Sequence, residues 1–249
     1  GLDLYLCENA KTGIVINDKN AECYQRLWES DRITEQLRSE MRLAMATYYY
    51  EHDRITEADA LMETVSPEDM GVKERAQFVQ MMISRAMFDK AYSWLCQFGE
   101  EMVDPGIVVR LLSRLIVRNE FAPDIQMLRL TEHAFKKGKY DENTLRYLAA
   151  YYEGTTKELR DIWKAAVEFE LDVNELCERL LKQMLFTGYY IGEKNEIFYS
   201  YVKNGAKRSV EMAFLSDCAY QYFVKEQIMD DKLFPYFTRL FYRGEEFPD

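Results

Sequence analysis

Glycine and proline are scarce in this 249-residue chain, at 11 and 5, and most of them stand at helix-end positions rather than in hairpin turns. A fold built from strands and tight turns is excluded on that count, and an all-α fold is expected. Histidine is nearly absent. His52 and His133 are the two present, and neither has a cysteine, histidine or carboxylate set at metal-ligand spacing, so neither a metal site nor a cofactor is expected. Basic charge is also short, with 32 Lys and Arg against 43 Asp and Glu and a net charge of −11. That sign excludes a phosphate-tracking surface, and with it a nucleic-acid partner. No apolar run approaches the roughly 18 to 20 residues of a membrane-spanning helix, and no secretory leader opens the sequence, so no membrane insertion or export is expected.

Five cysteines, Cys7, Cys23, Cys96, Cys177 and Cys218, are scattered at wide spacing without a CxxC pair. They read as reduced core thiols of a cytoplasmic protein. The chain opens on Gly1 rather than methionine, so it is expected to be a fragment of a longer protein.

What is present is periodic. Residues that follow a short polar turn and open a second helix recur at Ile55, Phe88, Phe121, Thr155, Ile191 and Ile228. Their spacings of 33, 33, 34, 36 and 37 lie close to the roughly 34-residue period of tetratricopeptide-type repeats. Five residues before each anchor stand Tyr50, Ile83, Ile116, Ala150, Phe186 and Phe223, and six before stand Tyr49, Met82, Leu115, Ala149, Leu185 and Tyr222. Seven after come Met62, Leu95, Leu128, Ile162, Phe198 and Pro235. Each unit therefore carries two half-buried helices, and such hairpins cover their apolar stripes only by stacking on neighbours. Thr56 with Asp59, Ser66 with Asp69, and Thr155 with Glu158 read as capping pairs at helix starts. Asp104-Pro105-Gly106 and Ala122-Pro123-Asp124 place proline in a first helical turn.

The stretch from Met45 to Met62 resembles a tetratricopeptide repeat, with Met45, Ala46 and Tyr49 on the first helix and Ala58 and Met62 on the second. Phe78, Met82, Ala91 and Leu95 repeat most of that pattern. The departures are Arg42 and Arg75 where the family has tryptophan, Val79 for a small residue, and Asp124, Glu158, Lys194 and Asp231 for the second-helix alanine. The chain is also similar to the helical-repeat part of large, uncharacterised bacterial proteins. The resemblance implies a right-handed α-solenoid of about six antiparallel hairpins over residues 31–249.

Residues 1–30 form an N-terminal arm or cap. Leu2, Leu4 and Leu6 alternate with Asp3, Tyr5 and Cys7, and Ile14 to Ile16 follow a Lys11-Thr12-Gly13 turn, which suggests a short β-hairpin or an irregular arm. The same pattern also fits the tail of a preceding β domain.

Catalytic motifs do not survive inspection. Ser200 and Lys203 form an isolated SxxK string without its companions, and no GxSxG, P-loop or GxGxxG string occurs. Lys136, Lys137 and Lys139, like Lys203, Lys207 and Arg208, read as complements to helix C-termini. By resemblance, the inner groove falls on first-helix positions eight and four before each anchor. It includes Thr47, Glu51, Ser113, Val117 and Val224, and its partner-binding set is Gln80, Ser84, Tyr147, Tyr151, Gln183, Thr187 and Tyr220.

The expected function is that of a non-enzymatic helical-repeat module that binds a protein or peptide segment, another part of the same native chain included, or that scaffolds a larger protein. An alternative is an α/α toroid with carbohydrate-active or glycan-binding chemistry, for which Glu153 is the lone carboxylate candidate. The turns from Glu51 to Arg54 and at Glu153-Gly154 leave such a site little room. Self-association through aromatic end surfaces is a third reading, and the oligomeric state is left open.

Overall fold

A computed structural model describes residues 14–30, 33–65, 70–99, 103–203, 210, 212–227, 231 and 233–236. Among them all regular structure is helical: besides residues 234–236 it comprises α1 (Ala21–Trp28), α2 (Glu35–Glu51), α3 (Ile55–Met62), α4 (Val72–Ser84), α5 (Phe88–Phe98), α6 (Pro105–Arg118), α7 (Ile125–Lys136), α8 (Glu142–Tyr151), α9 (Thr156–Glu168), α10 (Asn174–Thr187), α11 (Lys194–Lys203) and α12 (Met212–Glu226). None of the described helices is long and apolar enough to cross a membrane. The chain divides into two compact units. The first holds residues up to Arg118 with Lys136–Lys139, and the second holds Asn119–Phe135 and everything from Tyr140 onward.

In the first unit α2 packs on α3, α4 on α5 and α5 on α6, while α4 also packs on α2 and α6 on α4. Residues of the tetratricopeptide-like pattern are buried there: Met45, Ala46, Ala58, Met82, Ala91 and Leu95 are all shielded from solvent. Ala58 and Ala91 have no side chain beyond Cβ, so they fit where a paired helix passes close. The turns after α2 and α4 are copies of one device. Asp53 and Ala86 both take φ of 57°, and the next N–H reaches back five residues, from Arg54 to Tyr49 O at 2.9 Å and from Met87 to Met82 O at 2.9 Å. This is the Schellman closure, formed here without glycine, against a cost of roughly 1 to 2 kcal/mol for an L-residue in the left-handed region. The Arg54 guanidinium lies 4.2 Å over the Tyr49 ring and covers the same turn. Arg85, one period on from His52, donates to the Glu51 carbonyl and pairs with Asp53.

In the second unit α8 packs on α9, α9 on α10, α10 on α11 and α11 on α12, and α8 also meets α10. One continuous core runs through Leu145, Leu148, Leu159, Ile162, Leu180, Met184, Ile197 and Leu215. Thr155 caps α9 through a complete capping box, with Glu158 reaching back to the Thr155 N–H at 2.9 Å, as the sequence pair predicts.

Other expectations shift. Helices open at Ile55 and Phe88, and at Thr156 behind its Thr155 cap, but α7 opens at Ile125 and α11 at Lys194, four and three residues after the anchors Phe121 and Ile191. Asp124, not a residue before Pro123, caps α7 by accepting from the Met127 N–H at 2.8 Å. Thr56 is no cap, because it sits inside the first turn of α3, and its partner Asp59 instead accepts from Tyr50 and Lys90. Pro105 does open α6. Residues 1–13, the Ser66 and Asp69 pair, Lys207 and Arg208 and the Ile228 anchor lie outside the described residues. Within the arm, residues 14–16 are irregular rather than a strand, and residues 21–28 are helical. Ile14 and Ile16 pack with Tyr24, Leu27, Ile33, Met41 and Met45.

Candidate functional site

Asparagine side chains give the segment before α1 its shape. Asn20 Nδ2 donates to the Val15 carbonyl at 3.0 Å, the Asn17 N–H donates to Asn20 Oδ1 at 2.8 Å, and the Lys19 N–H donates to Asn17 Oδ1 at 3.0 Å. The Tyr48 hydroxyl donates to Asp18 Oδ1 at 2.6 Å, which fastens the segment to α2. His52 adds a second tie, with Nε2 3.4 Å from the same carboxylate oxygen, Nδ1 2.8 Å from the Tyr48 carbonyl and its ring centroid 4.2 Å from that of Tyr48. The Asp18 carboxylate beside it raises the Tyr48 hydroxyl above the ordinary tyrosine range.

Between this segment, α2 and the start of α4 lies a cleft of about 930 Å³. From α2 it takes Glu40, Leu43, Ala44, Thr47, Tyr48 and Glu51. Their spacing of three or four residues makes one stripe along a helix. From α4 it takes Lys73, Glu74, Gln77 and Phe78, and from the arm Ile14, Val15 and Ile16. Phe78 is buried and forms the floor, held at 6.1 Å from the Tyr50 ring and edge-on to Trp94 at 5.7 Å. Among its described lining residues, three carboxylates and one ammonium face an apolar bed. The volume is in the range of small-molecule and peptide-side-chain sites.

Behind the cleft floor, Tyr50 donates to Asp59 Oδ1 at 2.6 Å, and Lys90 pairs with Oδ2 of the same carboxylate. Burial, then the bond to Asp59, pushes the Tyr50 hydroxyl well above its ordinary range. Partial burial works against ionisation of Asp59, but the bonds from Lys90 and Tyr50 outweigh it and hold the carboxyl below its ordinary value. This trio links the two helices of the first hairpin to α5.

The residues assigned to a groove along the whole chain fall in different surroundings. Thr47 and Glu51 line the cleft. Gln80 is half-buried, and Ser84 is exposed and donates to the Met81 carbonyl at 2.7 Å. In the second unit the same register is used for packing. Tyr147 is completely buried, accepts from the Asp124 N–H at 2.7 Å and reaches the Asp124 and Ala122 carbonyls at 3.2 and 3.3 Å. Burial raises its hydroxyl above the ordinary range. Tyr151 donates to the Phe121 carbonyl at 2.7 Å and meets the Tyr147 ring edge-on at 5.1 Å. Gln183 donates to the Gly154 carbonyl at 2.9 Å, Thr187 donates to the Gln183 carbonyl at 2.8 Å, and Tyr220 is half-buried. Tyr147, Tyr151 and Gln183 therefore each clasp the turn inside the hairpin that precedes their own. Phe186, placed inward by its spacing, is 91% exposed next to Tyr189 at 59%. The cleft itself depends on residues 14–16, which the repeat pattern does not reach. Among the described residues no group of three or more His, Cys, Asp or Glu side chains could hold a metal ion.

The described chain is thus two all-helical units, the first of which carries a cleft between its helices and residues 14–16. Residues 1–122 match the family of unknown function DUF5717, N-terminal, and residues 124–249 match the family of unknown function DUF5717, C-terminal, with no tetratricopeptide family among the matches. The chain belongs to the DUF5717 family. The seam between the two matches, at residue 123, falls beside the boundary between the compact units at residue 118. No curated protein and no solved structure matches it.

Proposed function

We propose that the chain is a non-enzymatic helical-repeat module that binds a protein segment in the cleft of its first unit and serves as a scaffold element of a larger protein. The observation that carries this reading is the cleft of about 930 Å³ between α2, α4 and residues 14–16. It presents apolar and charged side chains together on rigid helices, which is what holds a peptide by anchors and rim contacts. The finer fold reading, hairpins stacked as in a right-handed tetratricopeptide-like solenoid, is supported within the first unit by α4 packing on α2 and α6 on α4.

The test is a photo-reactive benzoylphenylalanine placed at Thr47, on the cleft wall, with a control at the exposed Val167. One discrete cross-linked protein from Thr47, absent from the control and lost when Leu43→Asp is added, is the expected result. Cross-linking that is identical from both positions overturns the reading.

A further inference from the structure

The charged groups of the cleft specify the chemistry of its occupant. Glu40 and Glu51 stand eleven residues apart on α2, a rise of about 16 Å along the helix axis. Leu43, Ala44 and Tyr48 lie between them, and Phe78, Ile14 and Ile16 complete an apolar bed. Glu74 adds a third carboxylate from α4, and among the described lining residues these face one ammonium, Lys73, which is exposed. Among the described residues neither Glu51 nor Glu74 forms an ion pair, and Glu40 is bonded only to the neutral Gln36 amide at 3.3 Å. Glutamates spent on internal pairs would leave nothing for a partner. Here all three remain available. A net charge of −11 over the whole chain acts in the same sense, drawing cations and turning anions away.

Building on the cleft as a peptide site, we infer that its occupant is an extended peptide segment with two basic residues flanking an apolar stretch. A strand advances roughly 3.3 Å per residue and presents alternate side chains to one face, so two cations six residues apart, roughly 20 Å, share a face and span the separation of Glu40 and Glu51 with their flexible stems. The apolar side chains between them enter the bed formed by Leu43, Tyr48 and Phe78. An acidic peptide is refused by like charge at both ends.

Fluorescence anisotropy on the full chain tests this with a labelled heptapeptide of lysine, alanine, leucine, valine, leucine, alanine and lysine, which puts both lysines and both leucines on one face of a strand. An otherwise identical peptide with glutamate at both ends and the tetra-amine spermine are the comparisons. The lysine peptide binds at least about tenfold more tightly than the glutamate peptide, and raised salt weakens it. The Glu40→Gln, Glu51→Gln double variant, which keeps hydrogen-bonding shape at two surface positions, loses about tenfold for the lysine peptide while its circular dichroism stays that of the parent. Equal binding of both peptides overturns the basic-flank assignment and leaves the cleft reading standing. Binding of neither peptide, with no effect of Leu43→Asp on any probe, overturns both. Spermine competing as tightly as the peptide, or binding that ignores the double variant, overturns the assignment as well.

Discussion

The Tyr48 hydroxyl donates to the Asp18 carboxylate at 2.6 Å, and that bond ties the segment forming one wall of the cleft to the helix forming another. Both groups are on the surface, so the bond positions the segment more than it stabilises the unit. Tyr48→Phe removes the donor and keeps the ring. Amide hydrogen exchange over residues 15–20 is expected to accelerate, with the thermal midpoint unchanged. Exchange as slow as in the parent means that the asparagine turn alone holds the segment.

Tyr147 gives a different result from the one a groove residue gives. Its hydroxyl accepts from the Asp124 N–H, so Tyr147→Phe leaves a donor at the start of α7 without its partner. The expected cost is about 1 to 3 kcal/mol, read from urea unfolding. Tyr147→Ala adds the loss of a buried ring, about 3 to 5 kcal/mol by general experience with such truncations. A change below about 0.5 kcal/mol for Tyr147→Phe would show that water replaces the contact freely.

Those tyrosines also show where sequence reasoning stops. The helices at Ile55 and Phe88 and the capping box of Thr155 and Glu158 follow local rules, since a turn, a cap and an apolar stripe each lie within a few residues. Phe121 and Ile191 fail as anchors because Pro123 and Asp124, and the segment from Gly188 to Glu193, extend the turn before the helix begins. The partner of the Tyr147 hydroxyl lies 23 residues away, and a period alone does not say whether a phenol faces a ligand or an earlier turn. The cleft is not legible in the period for the same physical reason, as one of its walls comes from outside the repeat.

Asp59 makes the first unit acid-sensitive. Its carboxyl is held below the ordinary value by Lys90 and Tyr50, so the native state releases that proton more readily than the unfolded chain. The stabilisation is therefore present above the unfolded carboxyl pKa of about 4 and is lost as pH falls through the lower native value. Asp59→Asn should lower stability most at neutral pH and converge with the parent as pH falls through the lowered native value. A gap that is constant across that range removes charge from the explanation.

At the alkaline end the second unit responds through buried thiols. Burial pushes Cys177 up to about 11 and Cys218 up to about 12, so in the native state both hold protons that the unfolded chain gives up from about pH 8.5 upward. The sign is the reverse of that for Asp59: stability is full below the unfolded value and falls as pH rises toward the native one. Each thiol contributes a slope of about 1.4 kcal/mol per pH unit in that window. Urea melts of the parent and Cys218→Ala at pH 8, 9 and 10 measure it. The variant starts lower, by a cost on the order of 1 kcal/mol for the lost sulfur contact, and loses stability less steeply, by about one proton's worth of slope. Parallel lines would mean that the Cys218 thiol titrates alike in both states and that solvent reaches it between α11 and α12.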